Sequence, residues 1–277
     1  MQIIIPMAGV GQRFKDKGYQ TIKPLITVHE KPIIEHVTRL FPNEEDFLFI
    51  CNNEHLTSTN LREILLKLKP HAKVVGIDGH EKGPVASVAG VYEYIKDSEP
   101  AVVNYCDFFM GWDWEHFKKT VREKNADGAV VCYTGFHPHL LGPNFYAGVR
   151  TDEEMKILEI KEKHCFAKDK TQGWHSAGTY YFKNGKILKE YFKKQLDGPS
   201  HQNGEHYASL PYNYMIQDGL LNLLYPVSYF CQWGTPEDLE TYNLWHERAR
   251  NNYQPQDETE KEILNYWQKF FKLKYLI

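Results

Sequence analysis

A loop rich in glycine and positive charge follows the first strand-like run of the chain, residues 2–6. Glycines beside a strand end let backbone N–H groups approach a phosphate closely, and nearby basic side chains add fixed positive charge. The pattern predicts an anion cradle, although a glycine turn with solvated charges would explain the same residues taken alone. The spacing matches neither the P-loop nor the dinucleotide fingerprint, since Phe14 occupies the place of the fingerprint's third glycine. The cradle residues are Ala8, Gly9, Gly11, Arg13 and Lys23.

Short apolar runs alternate with longer helical patterns in the part of the chain that must position this loop. This alternation is typical of an α/β fold, with a mostly parallel, Rossmann-like sheet flanked by helices. Ligands of such sheets bind beyond the carboxyl ends of the strands, which is where the glycine loop falls. The predicted strands are residues 2–6, 46–51, 73–77, 101–105 and 128–134, and the predicted helices are 31–41, 55–68, 84–96 and 114–124.

Composition and charge exclude several classes of protein. The 277 residues include 33 Lys plus Arg and 36 Asp plus Glu, a net charge of −3 that argues against a nucleic-acid partner. No apolar run is long enough to span a bilayer, and the N-terminus lacks the features of a secretion signal. The five cysteines are odd in number and scattered, so neither a disulfide framework nor a zinc ribbon is indicated. We therefore expect a cytoplasmic protein without membrane insertion.

A series of motifs resembles the sugar-1-phosphate nucleotidyltransferase family. The series begins with IIPMAGVGQRF, TIKPLITV and KPIIEHV, and continues with YCDFF, YAGVR, KEK, SAGTYYF, GEHY and QWGTPEDLETY. The order and spacing follow the family over roughly residues 1–242, and several of the later motifs are most similar to the branch that serves capsule and surface-polysaccharide synthesis. The resemblance implies a nucleotidyltransferase domain over 1–242 and a C-terminal helical extension over 243–277. The domain would comprise a nucleotide-binding part, about 1–134, and a substrate lobe, about 135–230.

The resemblance also implies a reaction. A phosphate oxygen of a phosphorylated sugar or similar metabolite would attack the α-phosphate of a nucleoside triphosphate and release pyrophosphate. Arg13 would bind the triphosphate, and Lys23 would stabilise the phosphates at the reacting centre. Asp107, just after the strand at 101–105, would hold Mg²⁺, a cation that prefers carboxylate and phosphate oxygens.

Residues of the second half would bind the acceptor. Glu162 and Lys163 match the family's glutamate–lysine pair, in which the glutamate binds a substrate hydroxyl and the lysine the substrate phosphate. Gly148 and Glu205 align with positions that contact the substrate. The C-terminal helix is amphipathic, which indicates either a homodimer contact or a face packed on the domain.

The base-binding loop follows from the family's layout and covers residues 76–87. Gly83 would permit close approach of the base, and Asp78 could accept a hydrogen bond from a cytosine amino group or from the guanine edge. A cytidine nucleotide, CTP, is therefore expected.

The chain departs from the family where a second metal-binding aspartate usually lies. Gln232 occupies that place, and Asp238 in the following helix is the nearest carboxylate that could substitute for it. Two other functions stay open: a glycosyltransferase of the GT-A type, and a catalytically silent nucleotide sensor. The first normally needs an Asp-x-Asp pair, which Asp107 and the two phenylalanines after it do not supply.

Overall fold

The structure is a computed structural model that describes residues 1–143, 146–198 and 204–272. Most of its strands belong to one mixed sheet, and two short antiparallel pairs, β2–β3 and β7–β13, lie outside it. The strands are β1 (Gln2–Met7), β2 (Thr27–Val28), β3 (Lys31–Pro32), β4 (Phe47–Asn52), β5 (Lys73–Ile77), β6 (Ala101–Asn104), β7 (Phe108–Gly111), β8 (Gly128–Tyr133), β9 (Gly148–Thr151), β10 (Ile157–Lys161), β11 (Trp174–Phe182), β12 (Asn222–Val227) and β13 (Tyr229–Gln232).

The central sheet has a parallel half and a mixed half. Strand order is β10-β9-β11-β6-β1-β4-β5, with β8 paired to β11 and to β12. The pairs β6–β1, β1–β4 and β4–β5 are all parallel. Strand β11 runs antiparallel to β6, β8 and β9 and joins the two halves. The α/β class and the largely parallel sheet predicted from the sequence are confirmed.

Helices cover both faces of the sheet, because strand residues alternate between two apolar clusters. Ile3 and Ile5 of β1 face one cluster and Ile4 faces the other. The first cluster also receives α2, α4, α6, α9 and α10, and the second receives α5, α7 and α8. The helices are α1 (Gln12–Asp16), α2 (Ile33–Arg39), α3 (Asn53–Ser58), α4 (Leu61–Leu68), α5 (Pro84–Ala89), α6 (Trp114–Glu123), α7 (Gly185–Asp197), α8 (Pro211–Gln217), α9 (Pro236–Arg250) and α10 (Glu258–Phe270).

Two predicted helices are shorter than expected. The helical pattern at 55–68 is divided into α3 and α4, because Thr59 leaves the helical conformation and its hydroxyl accepts a hydrogen bond from the N–H of Leu61. The pattern at 84–96 ends its α-helix at Ala89, before Gly90, and continues only as a 3-10 turn.

The C-terminal segment packs against the same core as the rest of the chain. Leu264, Trp267 and Phe270 of α10 are buried in the first apolar cluster. Packing of this amphipathic helix on its own domain, one of the two alternatives that the sequence left open, is therefore what the structure has. The predicted boundary at residue 242 falls inside α9, and a separate extension over 243–277 stays a prediction, with 273–277 outside the described residues. None of the described helices combines the length and apolarity needed to cross a bilayer.

Candidate active site

A cavity of about 430 Å³ lies at the carboxyl ends of β1 and β6, as expected for ligand sites of open α/β sheets. The loop after β1 forms one wall of this cavity. Gly11 has φ = 70°, a left-handed conformation that glycine adopts without strain, and this lets the chain turn directly into α1. The cradle residues that line the cavity are Ala8, Gly9, Gly11, Arg13 and Lys23.

Lys23 and Asp107 form an ion pair in the cavity wall. The Nζ atom of Lys23 lies 2.8 Å from Oδ2 of Asp107, and about a quarter of each side chain is exposed, 23% and 26%. Burial by itself lowers the pKa of Lys23, but the Asp107 carboxylate outweighs this effect, so the pKa is raised above the usual lysine value. Lys23 therefore stays protonated and can neutralise a phosphate as well as a carboxylate.

The short ribbon β7–β13, which the sequence did not predict, fixes the surroundings of Asp107. Gln232 pairs with Phe108 at the end of the ribbon, and the N–H of Trp233 donates to the backbone carbonyl of Asp107 over 2.7 Å. Gly234 then lies over the carboxylate, where a Cβ atom would come within 3.3 Å of Oδ2 of Asp107. The cavity keeps room for a ligand of Asp107 because this residue is glycine.

The neighbouring carboxylate of Asp238 is engaged in helix capping. It accepts a hydrogen bond from the backbone N–H of Thr235, whose hydroxyl in turn accepts from the N–H of Asp238. Its other oxygen accepts from the side-chain amide of Gln232. Burial raises the pKa of Asp238, against the hydrogen bonds from Gln232 and Thr235, which lower it.

The donor set fits Mg²⁺ through one carboxylate. Asp107 lines the cavity, and Lys23 engages its Oδ2 atom but not its Oδ1 atom, whereas both oxygens of Asp238 accept hydrogen bonds. Within the described ranges, no three His, Cys, Asp or Glu side chains converge on one point. Mg²⁺ is often held by one or two carboxylates together with substrate phosphates and water, so Asp107 can be sufficient.

Another part of the cavity lining carries acidic and aromatic side chains. Glu205 and Tyr207 line it, and the hydroxyl of Tyr207 donates to the carboxylate of Glu205. Glu162 lies behind them and accepts a hydrogen bond from the hydroxyl of Ser209. The side chain of Lys163 places its Nζ 5.9 Å from the ring centre of Tyr207. Glu162 and Lys163 are therefore near the cavity, although neither belongs to its lining.

The Glu162 carboxyl is tuned by its surroundings. Burial raises its pKa from the usual 4.5 to about 7, and the charge of Glu205 acts in the same direction. The hydrogen bond from Ser209 and the charge of Lys163 oppose this shift. Near neutral pH both protonation states of Glu162 are therefore populated, so its carboxyl can donate as well as accept hydrogen bonds.

Two of the predicted glycines have packing functions. A Cβ atom on Gly83 would lie 2.6 Å from the carbonyl oxygen of His206, and one on Gly148 would lie 2.4 Å from that of His164. Gly83 also lines the cavity and has φ = 86°. The N–H of Val85 donates to the His206 carbonyl, so the loop predicted to bind the base is joined to the segment that carries Glu205. Gly148 lies in β9, outside the cavity lining, and lets the chain after Lys163 approach the sheet.

Asp78 lies apart from the other predicted nucleotide-binding residues. It is exposed, its carboxylate accepts a hydrogen bond from the Asn53 side chain over 3.0 Å, and it is not part of the cavity lining. The lining residues of the same loop are instead His80, Glu81, Gly83, Pro84 and Ser87.

The sequence did not single out several side chains that line the cavity. Tyr105 directly precedes the Cys106–Asp107 pair, and Tyr207 lies two residues after Glu205, so both are adjacent to predicted residues. His55 lies in α3, just after β4. The one signal available for His55 was its place beyond the end of a predicted strand.

The comparisons with known proteins agree with this architecture. The family of MobA-like NTP transferase domains matches residues 3–165. The chain is similar in structure to a nucleoside-diphosphate-sugar pyrophosphorylase from Vibrio cholerae RC9, with a TM-score of 0.72 and 22% identity over 87% of this chain and 98% of that one. It is also similar to a Bacillus anthracis protein described as a putative glucose-1-phosphate thymidylyltransferase, with a TM-score of 0.69 and 18% identity over 94% and 99% of the two chains. No curated protein matches the sequence.

Proposed function

We propose that this chain, which belongs to the family of MobA-like NTP transferase domains and is a nucleotidyltransferase, couples a nucleoside triphosphate to a phosphorylated sugar or similar metabolite. One observation carries the proposal. One cavity is lined by the glycine loop, Lys23 and Asp107 and also by Glu205 and Tyr207. The first set of residues forms a wall that suits a triphosphate, and the second set forms a wall that suits a polar acceptor.

The geometry supports a direct transfer between the two walls. An oxygen of the acceptor phosphate forms a bond to the α-phosphorus, and the bond from that phosphorus to the bridging β-phosphate oxygen breaks, which releases pyrophosphate. Arg13 and Lys23 neutralise charge on the phosphates and hold them in line, since such reactions depend on positioning and electrostatic stabilisation. Asp107 would hold Mg²⁺, which when bound adds positive charge at the phosphate oxygens.

The acceptor would lie against the acidic and aromatic wall. Glu205 lines the cavity, and Glu162, whose carboxyl is influenced by the charge of Glu205, can bind a hydroxyl in either protonation state. Lys163 lies beside Tyr207 on this side and would bind the acceptor phosphate. The resemblance of the later motifs to the capsule branch supports a product used for surface polysaccharide.

The charge at the base-binding loop supports a base with an exocyclic amino group. Among these bases we favour cytosine. Glu81 of this loop lines the cavity, so its carboxylate can accept a hydrogen bond from an amino group. The carbonyl oxygens that uracil and thymine carry at that position would be repelled. We therefore propose CTP as the nucleotide substrate, in the cytoplasm where phosphorylated metabolites are made.

Pyrophosphate release tests the proposal. The enzyme would be incubated with Mg²⁺, each of CTP, UTP, ATP, GTP and dTTP, and a panel of sugar 1-phosphates and other phosphorylated metabolites. The expected result is acceptor-dependent release, largest with CTP. Transfer of sugar from a nucleotide sugar without pyrophosphate release would favour a glycosyltransferase. Tight nucleotide binding with no turnover on any acceptor would favour the silent sensor that the substitution at Gln232 leaves open.

A further inference from the structure

We propose that His55 reads the edge of the nucleobase and so selects the nucleotide. His55 lies in α3, is 4% exposed and lines the cavity. Neither of its ring nitrogens has a hydrogen-bond partner among the described residues. This inference rests on the proposed function, since it assigns a residue to the nucleotide half of the same cavity.

The order of strands places His55 at the base end of the cavity. The glycine loop follows β1, Asp107 follows β6 on one side of β1, and α3 follows β4 on the other side. A nucleotide with its phosphates on the glycine loop and its α-phosphate near Asp107 must therefore extend its base toward β4 and β5. His55 lies at the end of β4, and His80 lies beyond the end of β5.

The neighbouring histidine at this end already has partners. Nδ1 of His80 accepts a hydrogen bond from the N–H of Lys82 over 3.1 Å, so the neutral ring carries its proton on Nε2. That nitrogen lies 3.2 Å from the hydroxyl oxygen of Ser87. In contrast, the donor and the acceptor of the His55 ring have no partner among the described residues.

Burial favours the neutral form of the His55 ring, which suits hydrogen bonding to a base better than it suits pairing with a charged group. Loss of solvation lowers its pKa, and the positive charge of Lys15 acts in the same direction. The neutral ring presents one N–H donor and one nitrogen acceptor, which is the combination that the pairing edge of a base can satisfy. A buried polar group without a partner is unfavourable. A base that hydrogen-bonds to both ring nitrogens should therefore bind more tightly than a base that leaves one of them unpaired.

The ring is also held in place by its own turn. Asn52 caps α3 by accepting a hydrogen bond from the N–H of Glu54 over 2.9 Å. A Cβ atom on Gly79 would lie 2.3 Å from the amide nitrogen of Asn52 and 3.3 Å from a methyl group of Val10. The turn that carries His55 is therefore packed close to both the glycine loop and the base-binding loop. This packing would hold His55 in a fixed position, as base recognition requires.

Calorimetry of nucleotide binding without an acceptor tests the inference. The wild-type enzyme, His55→Phe and His55→Gln would each be titrated with CTP, UTP, ATP, GTP and dTTP in the presence of Mg²⁺. Phenylalanine fills the volume but removes both ring nitrogens, whereas glutamine keeps a donor and an acceptor. We expect His55→Phe to lose about 10- to 100-fold in discrimination between the preferred base and the others, and His55→Gln to lose less.

A matched control separates recognition from packing. His36 is also fully buried, lies outside the cavity lining and bonds to the Val28 carbonyl over 2.7 Å, so His36→Phe should leave the order of nucleotide affinities unchanged. Unchanged discrimination in a folded His55→Phe variant would overturn the inference, as would an equal weakening of all five nucleotides. If the wild-type enzyme bound no nucleotide, the proposed function itself would fail, and His55 would not be the cause.

Discussion

Lys23 and Asp107 face each other across 2.8 Å in the cavity wall, so each side chain lowers the cost of burying the other's charge. The same two groups are the ones expected to meet phosphate and Mg²⁺. Their pairing therefore keeps a cation and an anion ready at the point where a triphosphate would need both. Arg13 adds a second cation from the glycine loop.

Replacing Asp107 tests this arrangement directly. Asp107→Asn should lower kcat at least about 100-fold, equivalent to about 2.7 kcal/mol or more, because an amide binds a divalent cation poorly and leaves Lys23 without its counter-charge. Steady-state pyrophosphate release measures this effect. Asp113→Asn is the control, since Asp113 caps α6 by accepting from the N–H of His116, and asparagine caps a helix equally well. A variant at Asp107 with wild-type kcat would remove the residue from the reaction.

Glu162 should make stability depend on pH. Its pKa is raised from 4.5 to about 7, so the folded protein holds the proton more tightly than the unfolded chain does. The stabilisation from this proton is present below about pH 4.5 and is lost as the pH rises through about 7. Glu162→Gln removes the titration. As the pH rises from about 4.5 to about 7, the melting temperature of the variant should therefore increase relative to that of the wild type. A constant difference in melting temperature across this range would show that the carboxyl does not titrate there.

At the scale of elements, two loops are joined that lie far apart in sequence. Residues 82–85 of the base-binding loop bond to the backbone of His206, through N–H donors of Val85 and of His206 itself. Tyr207 and Glu205 flank His206 and line the cavity. Backbone hydrogen bonds thus join the loop predicted to bind the base to the segment that carries Glu205, which supports the proposed transfer between two bound substrates.

Gly83→Ala should disturb this junction. Gly83 has φ = 86°, and a Cβ atom there would lie 2.6 Å from the His206 carbonyl oxygen, so a side chain has no room. Gly219 has a similar φ of 79° but open space around it, so Gly219→Ala reports the backbone strain alone, roughly 1–2 kcal/mol. Gly83→Ala should lose about 1–3 kcal/mol more in urea unfolding and raise KM for both substrates. Equal stability and KM in the two variants would show that the loops are not coupled.

At the scale of the whole molecule, the C-terminal helices complete the core beneath Asp107. Phe270 of α10 is fully buried and contacts the ring of Phe109 in β7, with the ring centres 6.2 Å apart. Trp233 lies against the same phenylalanine and precedes Gly234. The ribbon that holds Asp107 is therefore supported from behind by residues near the C-terminus.

Truncating Phe270 tests whether these helices belong to one cooperative unit. Phe270→Ala should lower the free energy of unfolding by about 3–5 kcal/mol, the usual cost of a large cavity in a core. Urea denaturation followed by fluorescence and by circular dichroism should show one shifted transition in both signals. Two separate transitions would instead support an independent extension over 243–277. The exposed Leu244 of α9 provides the control, since Leu244→Ala should change stability little.

Local patterns predicted the parallel strands in the first half of the chain and the glycine loop that lines the cavity. Strand β5 was predicted at its observed bounds, and β1, β4, β6 and β8 were predicted within one residue at each end. Arg13 and Asp107 follow the ends of neighbouring strands, and parallel strands bring such ends to one edge. Each of these features depends on residues that are close in sequence, so a single sequence is sufficient to predict them.

Contacts between distant segments were decided only by the tertiary structure. No local pattern distinguishes the ribbon β7–β13, the Gly83–His206 junction or the burial of His55, because each depends on the approach of segments far apart in the chain. The same holds for Asp78, whose charge suggested base recognition but whose side chain bonds to Asn53 outside the cavity. Sequence thus determined the chemical groups and the fold class, whereas long-range packing determined which groups share one cavity.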